Sequence, residues 1–207
     1  MARIDRIITS GIFSLDGEDF DVDNNIWLIG DDREVIIVDA AHDHRPILEG
    51  VGGRTVKGIV CTHAHNDHIN AAAALASETG APIWLHPDDM MLWEVVYPDR
   101  RVDDHLRDGQ TISVGGAEVT MLHTPGHSPG GVCLHVPSVG VVFSGDTLFN
   151  GGPGATGRSF SDYNVILDSI ERSLFSLPEH TLVHTGHGDS TSIAAEKPSL
   201  TQWRAQG

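Results

Sequence analysis

Three histidines and an aspartate stand within six positions of the stretch CTHAHNDHIN (61–70): His63, His65, Asp67 and His68. Imidazole and carboxylate are what a divalent cation of zinc's type takes as ligands, in a roughly tetrahedral shell at about 2 Å. His63 and His65 lie two residues apart just past an apolar run and can present two rings to one cation if the loop turns. Asp67 and His68 are adjacent, and the next turn can aim them at a second point nearby. Packing alone would be a poor reason for this density of polar groups. Two neighbouring cations need further ligands, and candidates lie far along the chain. His127 sits between Gly126 and Ser128-Pro129, Asp146 follows Gly145, and His187 lies between two glycines in TGHGD (185–189). His123 and His184 are near enough to orient such ligands by hydrogen bonds. His42, His44, His86, His105, His135 and His180 follow no ligand spacing.

The elements that must position these residues are short apolar runs with turn-rich flanks, which suit strands. They are RIITS (6–10), NIWLIG (25–30), EVIIVDA (34–40), VKGIVCT (56–62), APIWLH (81–86), AEVTMLH (117–123), GVCLHV (131–136), VGVVFSG (139–145) and HTLVHTG (180–186). Helices are expected over 66–80, ending at Gly80, and over 162–177, where Val165, Ile166, Ile170, Leu174 and Leu177 share a face before Pro178. A weaker helical pattern covers 88–97. Its Met90, Met91, Trp93 and Tyr97 read as core packing in preference to a pocket wall. Early strand pairs followed by strands alternating with helices point to a layered α/β sandwich. The candidate ligands fall at the ends of four of these runs, where a rigid scaffold can gather distant residues along one sheet edge.

The 207 residues carry 13 Lys+Arg against 29 Asp+Glu, a net charge of −16. That balance disfavours a nucleic-acid partner, because no basic stripe offsets it. No apolar run reaches the roughly 18–20 residues of a membrane span, and the N-terminus lacks the pattern of a secretory signal. A soluble cytoplasmic protein is the expectation, with one domain over 1–207. Cys61 and Cys133, each in an apolar run, are expected as free buried thiols. The Gly-rich NGGPGATGRS (150–159) lacks the Lys-Ser/Thr ending of a phosphate cradle.

The spacing His-x-His-x-Asp-His, followed in order by TPGHSPG, FSGDTLF and TGHGD, resembles the signature of the metallo-β-lactamase fold hydrolases, and most of all glyoxalase II and its short bacterial relatives. The resemblance implies an αββα sandwich without the C-terminal helical substrate-binding region of full-length glyoxalase II. It implies one divalent cation on His63, His65 and His127, a second on Asp67, His68 and His187, and Asp146 bridging both. Zinc is the first expectation, and iron or manganese would also suit these ligands. The implied reaction is attack of metal-bound hydroxide on the acyl carbon of a small-molecule thioester, with Asp67 orienting the hydroxide and accepting its proton. A mononuclear iron persulfide dioxygenase shares nearly the same motifs. A lactonase is a further alternative, but it usually has a tyrosine where this chain has Leu148 and Phe149. A metal-binding scaffold without catalysis fits a complete ligand set poorly. Asn70 replaces the glycine that commonly ends the first motif. Arg158 is a candidate contact for a substrate carboxylate and Tyr163 a second, weaker substrate contact. The short tail after His187 holds only Lys197 and Arg204, which puts glutathione as the thiol in question.

Overall fold

In NIWLIG, Ile26 and Leu28 enter one apolar cluster while Trp27 and Ile29 enter another, and all four are buried. Successive strand side chains leave on opposite faces, so a strand apolar on both faces must be covered on both. The computed structural model, which describes residues 2–206, meets this demand with two packed sheets and helices outside them. The first sheet runs, in spatial order, β1 (Arg3–Leu15), β2 (Glu18–Gly30), β3 (Glu34–Val38), β4 (Thr55–Val60), β5 (Ile83–Leu85) and β6 (Asp104–His105). The second runs β7 (Thr111–Val114), β8 (Ala117–His123), β9 (Val132–Val136) and β10 (Val141–Gly145), then β13 (Leu182–Thr185) and β14 (Thr191–Ser192). A two-stranded ribbon of β11 (Leu148–Phe149) and β12 (Gly152–Pro153) lies between them in the chain.

Met121, Leu134 and Phe143 of the second sheet meet Ile36, Val38 and Val60 of the first between the sheets. Helices α1 (His44–Val51), α2 (Asn66–Ile69), α3 (Ala72–Thr79) and α4 (Met90–Val96) close the outer face of the first sheet, with Ile47, Leu75 and Trp93 fully buried. On the other side, α5 (Tyr163–Ser169), α6 (Ile193–Glu196) and α7 (Leu200–Arg204) cover Cys133, Val142 and Val183 with Ile166, Ile170, Ile193 and Trp203. The result is the expected αββα sandwich. Among the described residues no helix is long and apolar enough to cross a membrane. Cys61 and Cys133 are free and buried, and burial pushes both thiols up, Cys133 to about 11.

Three local expectations change. The runs at 6–10 and 25–30 are the inner ends of one long hairpin, in register from Arg3↔Gly30 out to Leu15↔Glu18. Asp16 and Gly17 close it with φ of 54° and 82°, the positive pair that an Asp-Gly hairpin turn requires. The outer half is polar on one face, so an apolar-run criterion misses it. The helix expected over 66–80 breaks at Asn70-Ala71. There, Ala71 N–H donates to Ala40 O (2.9 Å) and Asn70 Oδ1 accepts from His42 N–H (2.5 Å), bonds that tie the break to the loop after β3. The segment 162–177 begins as α5 but continues as one wider turn, Ile170–Leu174. In α4, Trp93 is buried and donates to Arg100 O (2.7 Å), and the Tyr97 hydroxyl donates to Ile69 O (2.8 Å). Both serve the core, whereas Met91 is half-exposed.

Asp89, fully buried before α4, joins the loops that carry the candidate ligands. Its carboxylate accepts from Ala64 N–H (2.9 Å), Ser128 Oγ–H (2.8 Å) and Gly130 N–H (2.5 Å). Replacing it with alanine strands these buried donors, two of them backbone amides, at about 1–3 kcal/mol each before relaxation. Asp89→Ala is expected to lower stability by about 3 kcal/mol and Tm by roughly 6–12 °C, read by thermal unfolding. Asp89→Asn should lose clearly less, since its amide oxygen still accepts.

Candidate metal centre

Each candidate ligand is delivered by a loop that leaves the end of a buried strand. β4 leads into the segment 61–68, β8 into His127, β10 into Asp146 and β13 into His187. The register between β10 and β13 shifts at Phe143/Gly145, and Gly145 takes a φ of 48°. A side chain there would press on Thr62, so glycine lets the Asp146 backbone close on the 61–68 loop. At Gly186 a Cβ would run into Asp146 Oδ1 itself.

The seven side chains meet as two triads. His63 Nε2 and His127 Nε2 stand 3.1 and 2.9 Å from His65 Nδ1. His68 Nε2 and His187 Nε2 are 3.1 Å apart, with Asp67 Oδ2 at 3.4 and 3.3 Å from them. Asp146 lies between the triads. Its Oδ1 is 3.4 Å from His68 Nε2, and its Oδ2 is 3.6 Å from His127 Nε2 and 3.5 Å from His187 Nε2. The first-motif residues His63, His65, Asp67 and His68 are all at most 5% exposed.

The opposite edge of most of these rings is tied down. His127 Nδ1 lies 2.8 Å from Ala155 O and His187 Nδ1 lies 2.7 Å from Asp23 O. A carbonyl oxygen can only accept, so both rings carry a proton on Nδ1 and turn Nε2 inward. His68 Nδ1 lies 2.8 Å from Asp39 Oδ2, and His63 Nδ1 lies 3.1 Å from the Thr62 hydroxyl. Asp39 also accepts from Thr62 N–H (2.7 Å) and Thr62 Oγ–H (2.9 Å), which fixes the turn before His63. Asn24 donates to Asp67 Oδ2 at 3.0 Å, and its oxygen lies 2.8 Å from His42 Nε2.

Inward nitrogen lone pairs about 3 Å apart repel unless a proton or a cation lies between them. Asp67 Oδ1 and Asp146 Oδ1 are buried and have no hydrogen-bond partner. Orphaned carboxylate oxygens beside converging ring nitrogens fit a pair of cations. The electrostatics agree. Burial pushes His63 down, and His65 to about 3, so these rings are neutral. Burial would push His68 and His187 down as well, yet Asp146 and Asp67 drive both up, His187 to about 10. Against the upward push of burial, His68 and His187 hold Asp146 well below the carboxylate range, and His68 with the bond from His187 holds Asp67 at about 2. Negative charge in this pocket therefore calls for positive charge, and cation binding would displace the protons.

Other sequence candidates lie elsewhere. His123 and His184 do not hydrogen-bond any of the seven residues. The His123 ring stacks on His86 (4.0 Å) with Nε2 on Pro129 O, and His184 stacks on Trp27 (4.2 Å) with Nδ1 on Ser190 Oγ. The Tyr163 hydroxyl donates to Trp203 O (2.9 Å) within the outer helical layer, away from the seven residues. Arg158 does reach the cavity beside His65 and His127, but it is paired with Glu18 at 2.5 Å. The supporting residues that sequence reading passed over are Asp39, Asn24, Thr62 and Asp89. Asp39 ends the run EVIIVDA, a position that could have marked it. Asn24 lies one residue before the run 25–30, in the part of the hairpin that the apolar runs do not cover.

A sequence profile of the Metallo-beta-lactamase superfamily matches residues 20–187. The chain is 34% identical over 188 residues to the probable metallo-hydrolase YqgX of Bacillus subtilis, covering 84% of this chain and 89% of that one. It is 30% identical over 190 residues to hydroxyacylglutathione hydrolase GloC of Haemophilus influenzae, covering 84% and 88%. The crystal structure of TTHA1623 in a di-iron-bound form superposes with a TM-score of 0.76 at 32% identity, over 85% of this chain and 93% of the other. Profile, relatives and fold agree with the arrangement of the two triads: the chain belongs to the metallo-beta-lactamase superfamily.

Proposed function

We propose that this protein is a binuclear metal-dependent hydrolase that cleaves an acyl thioester of a small thiol. The observation that carries the reading is the meeting of His63, His65 and His127 with Asp67, His68 and His187 across Asp146. Two bound divalent cations, zinc first among the candidates, would acidify a shared water and polarise a substrate carbonyl. The chain supplies the rest. Asp146, between the two triads, would be the anion shared by both cations. Asp67, one oxygen held by Asn24 and the other orphaned, orients the attacking water and takes its proton. Asp39 and the backbone carbonyls of Asp23 and Ala155 hold the rings in the tautomers that ligation needs.

The choice of thioester rests on the leaving group. A thiol has a pKa near 8.5, far below that of an alcohol or amine, so its thiolate departs without a dedicated acid. The cavity beside His65 and His127 is lined by no Lys, Tyr or Cys that could protonate a leaving group. The relative GloC, a hydroxyacylglutathione hydrolase by name, is of the same reaction class.

Purified with zinc, the protein should hold close to two metal equivalents by elemental analysis and hydrolyse simple thioesters. Asp146→Ala should fall to one equivalent or fewer and lose at least roughly 100-fold in kcat/KM. A variant with full metal content and normal turnover refutes the bridging role. One iron per chain with stoichiometric oxygen uptake on a persulfide would replace the hydrolase by a dioxygenase. Asp67→Asn should lower kcat more than it lowers metal content, with KM little changed, because the proton acceptor is lost while a ligand oxygen remains.

A further inference from the structure

The cavity that opens onto His65 and His127 has a volume of about 450 Å³, within the range of small-molecule sites. Its roof is the outer half of the β1–β2 hairpin. Phe13 and Phe20 face each other across the two strands with ring centroids 6.1 Å apart, and the Phe13 ring lies 5.4 Å from the His65 ring. Leu15 and Val22 extend the same apolar wall. The hairpin tip is fastened to the loop opposite. Asp16 accepts from Ser159 Oγ–H (3.0 Å) and Ser159 N–H (3.3 Å), Arg158 pairs with Glu18 (2.5 Å), and the Arg158 guanidinium lies 5.5 Å from the Phe20 ring centre. Phe160, next to this fastening, holds a φ of 68°, a strained conformation for an aromatic residue that persists only where the surroundings impose it.

Charge decides what such a chamber admits. Its one cation, Arg158, is already paired and stacked. Asp21 also lines it, while Asp19 and Asp23 bond Ser14 and Ser10 on the opposite face of the hairpin. Apart from cations bound at the two triads, a carboxylate would find no unpaired positive side chain in this lining. We propose that this chamber is the subsite for an uncharged, apolar group next to the scissile bond, and that Arg158 with Glu18 clamps the roof shut instead of receiving a substrate carboxylate. The inference rests on the thioesterase reading for its reaction and adds the substrate class: thioesters with an apolar acyl or thiol arm, in preference to glutathione, with its two carboxylates.

The test uses the zinc-loaded full chain and N-acetylcysteamine thioesters bearing acetyl, hexanoyl or succinyl groups, with S-benzyl thioacetate placing the apolar arm on the thiol side and hexanoyl-glutathione as the anionic thiol. At least one apolar arm should raise kcat/KM about tenfold or more over the acetyl compound, and the side that gains locates the arm. Phe20→Ala, at a position 40% exposed and so tolerant of truncation, should bring that ratio close to one. Glu18→Gln should free Arg158 and raise the succinyl-to-hexanoyl ratio about fivefold at low salt, and adding Arg158→Met should cancel the gain. A wild-type preference for succinyl or glutathione substrates, or an unchanged ratio in Phe20→Ala, overturns the subsite. Failure to hydrolyse any thioester with both metals bound refutes the reaction instead. In that event calorimetry still reads the subsite. S-hexyl-N-acetylcysteamine should bind about tenfold tighter than the S-ethyl compound, and Phe20→Ala should abolish the difference; equal affinities overturn it.

Discussion

Ring nitrogens and carboxylate oxygens of like character are crowded into one buried pocket, and the rest of the structure holds them there. His65 Nδ1 faces two bare ring nitrogens at 2.9 and 3.1 Å, and His68 faces His187 at 3.1 Å. Such contacts are unfavourable in themselves. They persist because four of the five rings are anchored on the far side, by Asp39, by Thr62, or by the carbonyls of Asp23 and Ala155. The pocket stores a demand for positive charge that the fold cannot relax, which is the preorganisation a metal-dependent hydrolase needs.

The sandwich suits that task because its site loops leave buried strands. β3, β4 and β10 pack on both faces, so their ends cannot shift without disturbing two apolar layers. Asp89 then couples the 61–68 loop to the His127 loop through three accepted bonds. Gly145 and Gly186 remove the side chains that would separate Asp146 from its neighbours. Rigidity in the layers becomes precision in the loops.

The long hairpin adds a second function to the same edge. Its inner half belongs to the first sheet, and Asn24, near the middle of the hairpin, reaches Asp67 directly. Its outer half leans over the metal centre and is pinned at the tip to the 157–160 loop. One element thus supports a candidate ligand and roofs the adjoining chamber, so the candidate metal centre and the chamber beside it are built together.

Much of this was legible in the residues. The ligand types and their spacing survive any detail of packing, because no other role accounts for His63, His65, Asp67 and His68 so close together. The apolar runs and their order likewise predicted a layered α/β fold, since burial on both faces leaves few alternatives. Which distant residue joins which triad did not follow from spacing. The family resemblance supplied a pairing, and the geometry groups the side chains in that way. The supporting residues were hidden, because Asp39, Asn24 and Asp89 act through contacts 20 to 45 positions away, as in Asn24 to Asp67 and Asp89 to Ala64. Arg158 shows the limit most clearly. From sequence it was a candidate contact for a substrate carboxylate, and only the folded hairpin brought Glu18 to it across about 140 residues. Sequence determined the chemistry because ligand atoms are properties of residue types. Tertiary structure decided the pairing, the anchoring and the shape of the chamber, because those depend on which distant strands end side by side.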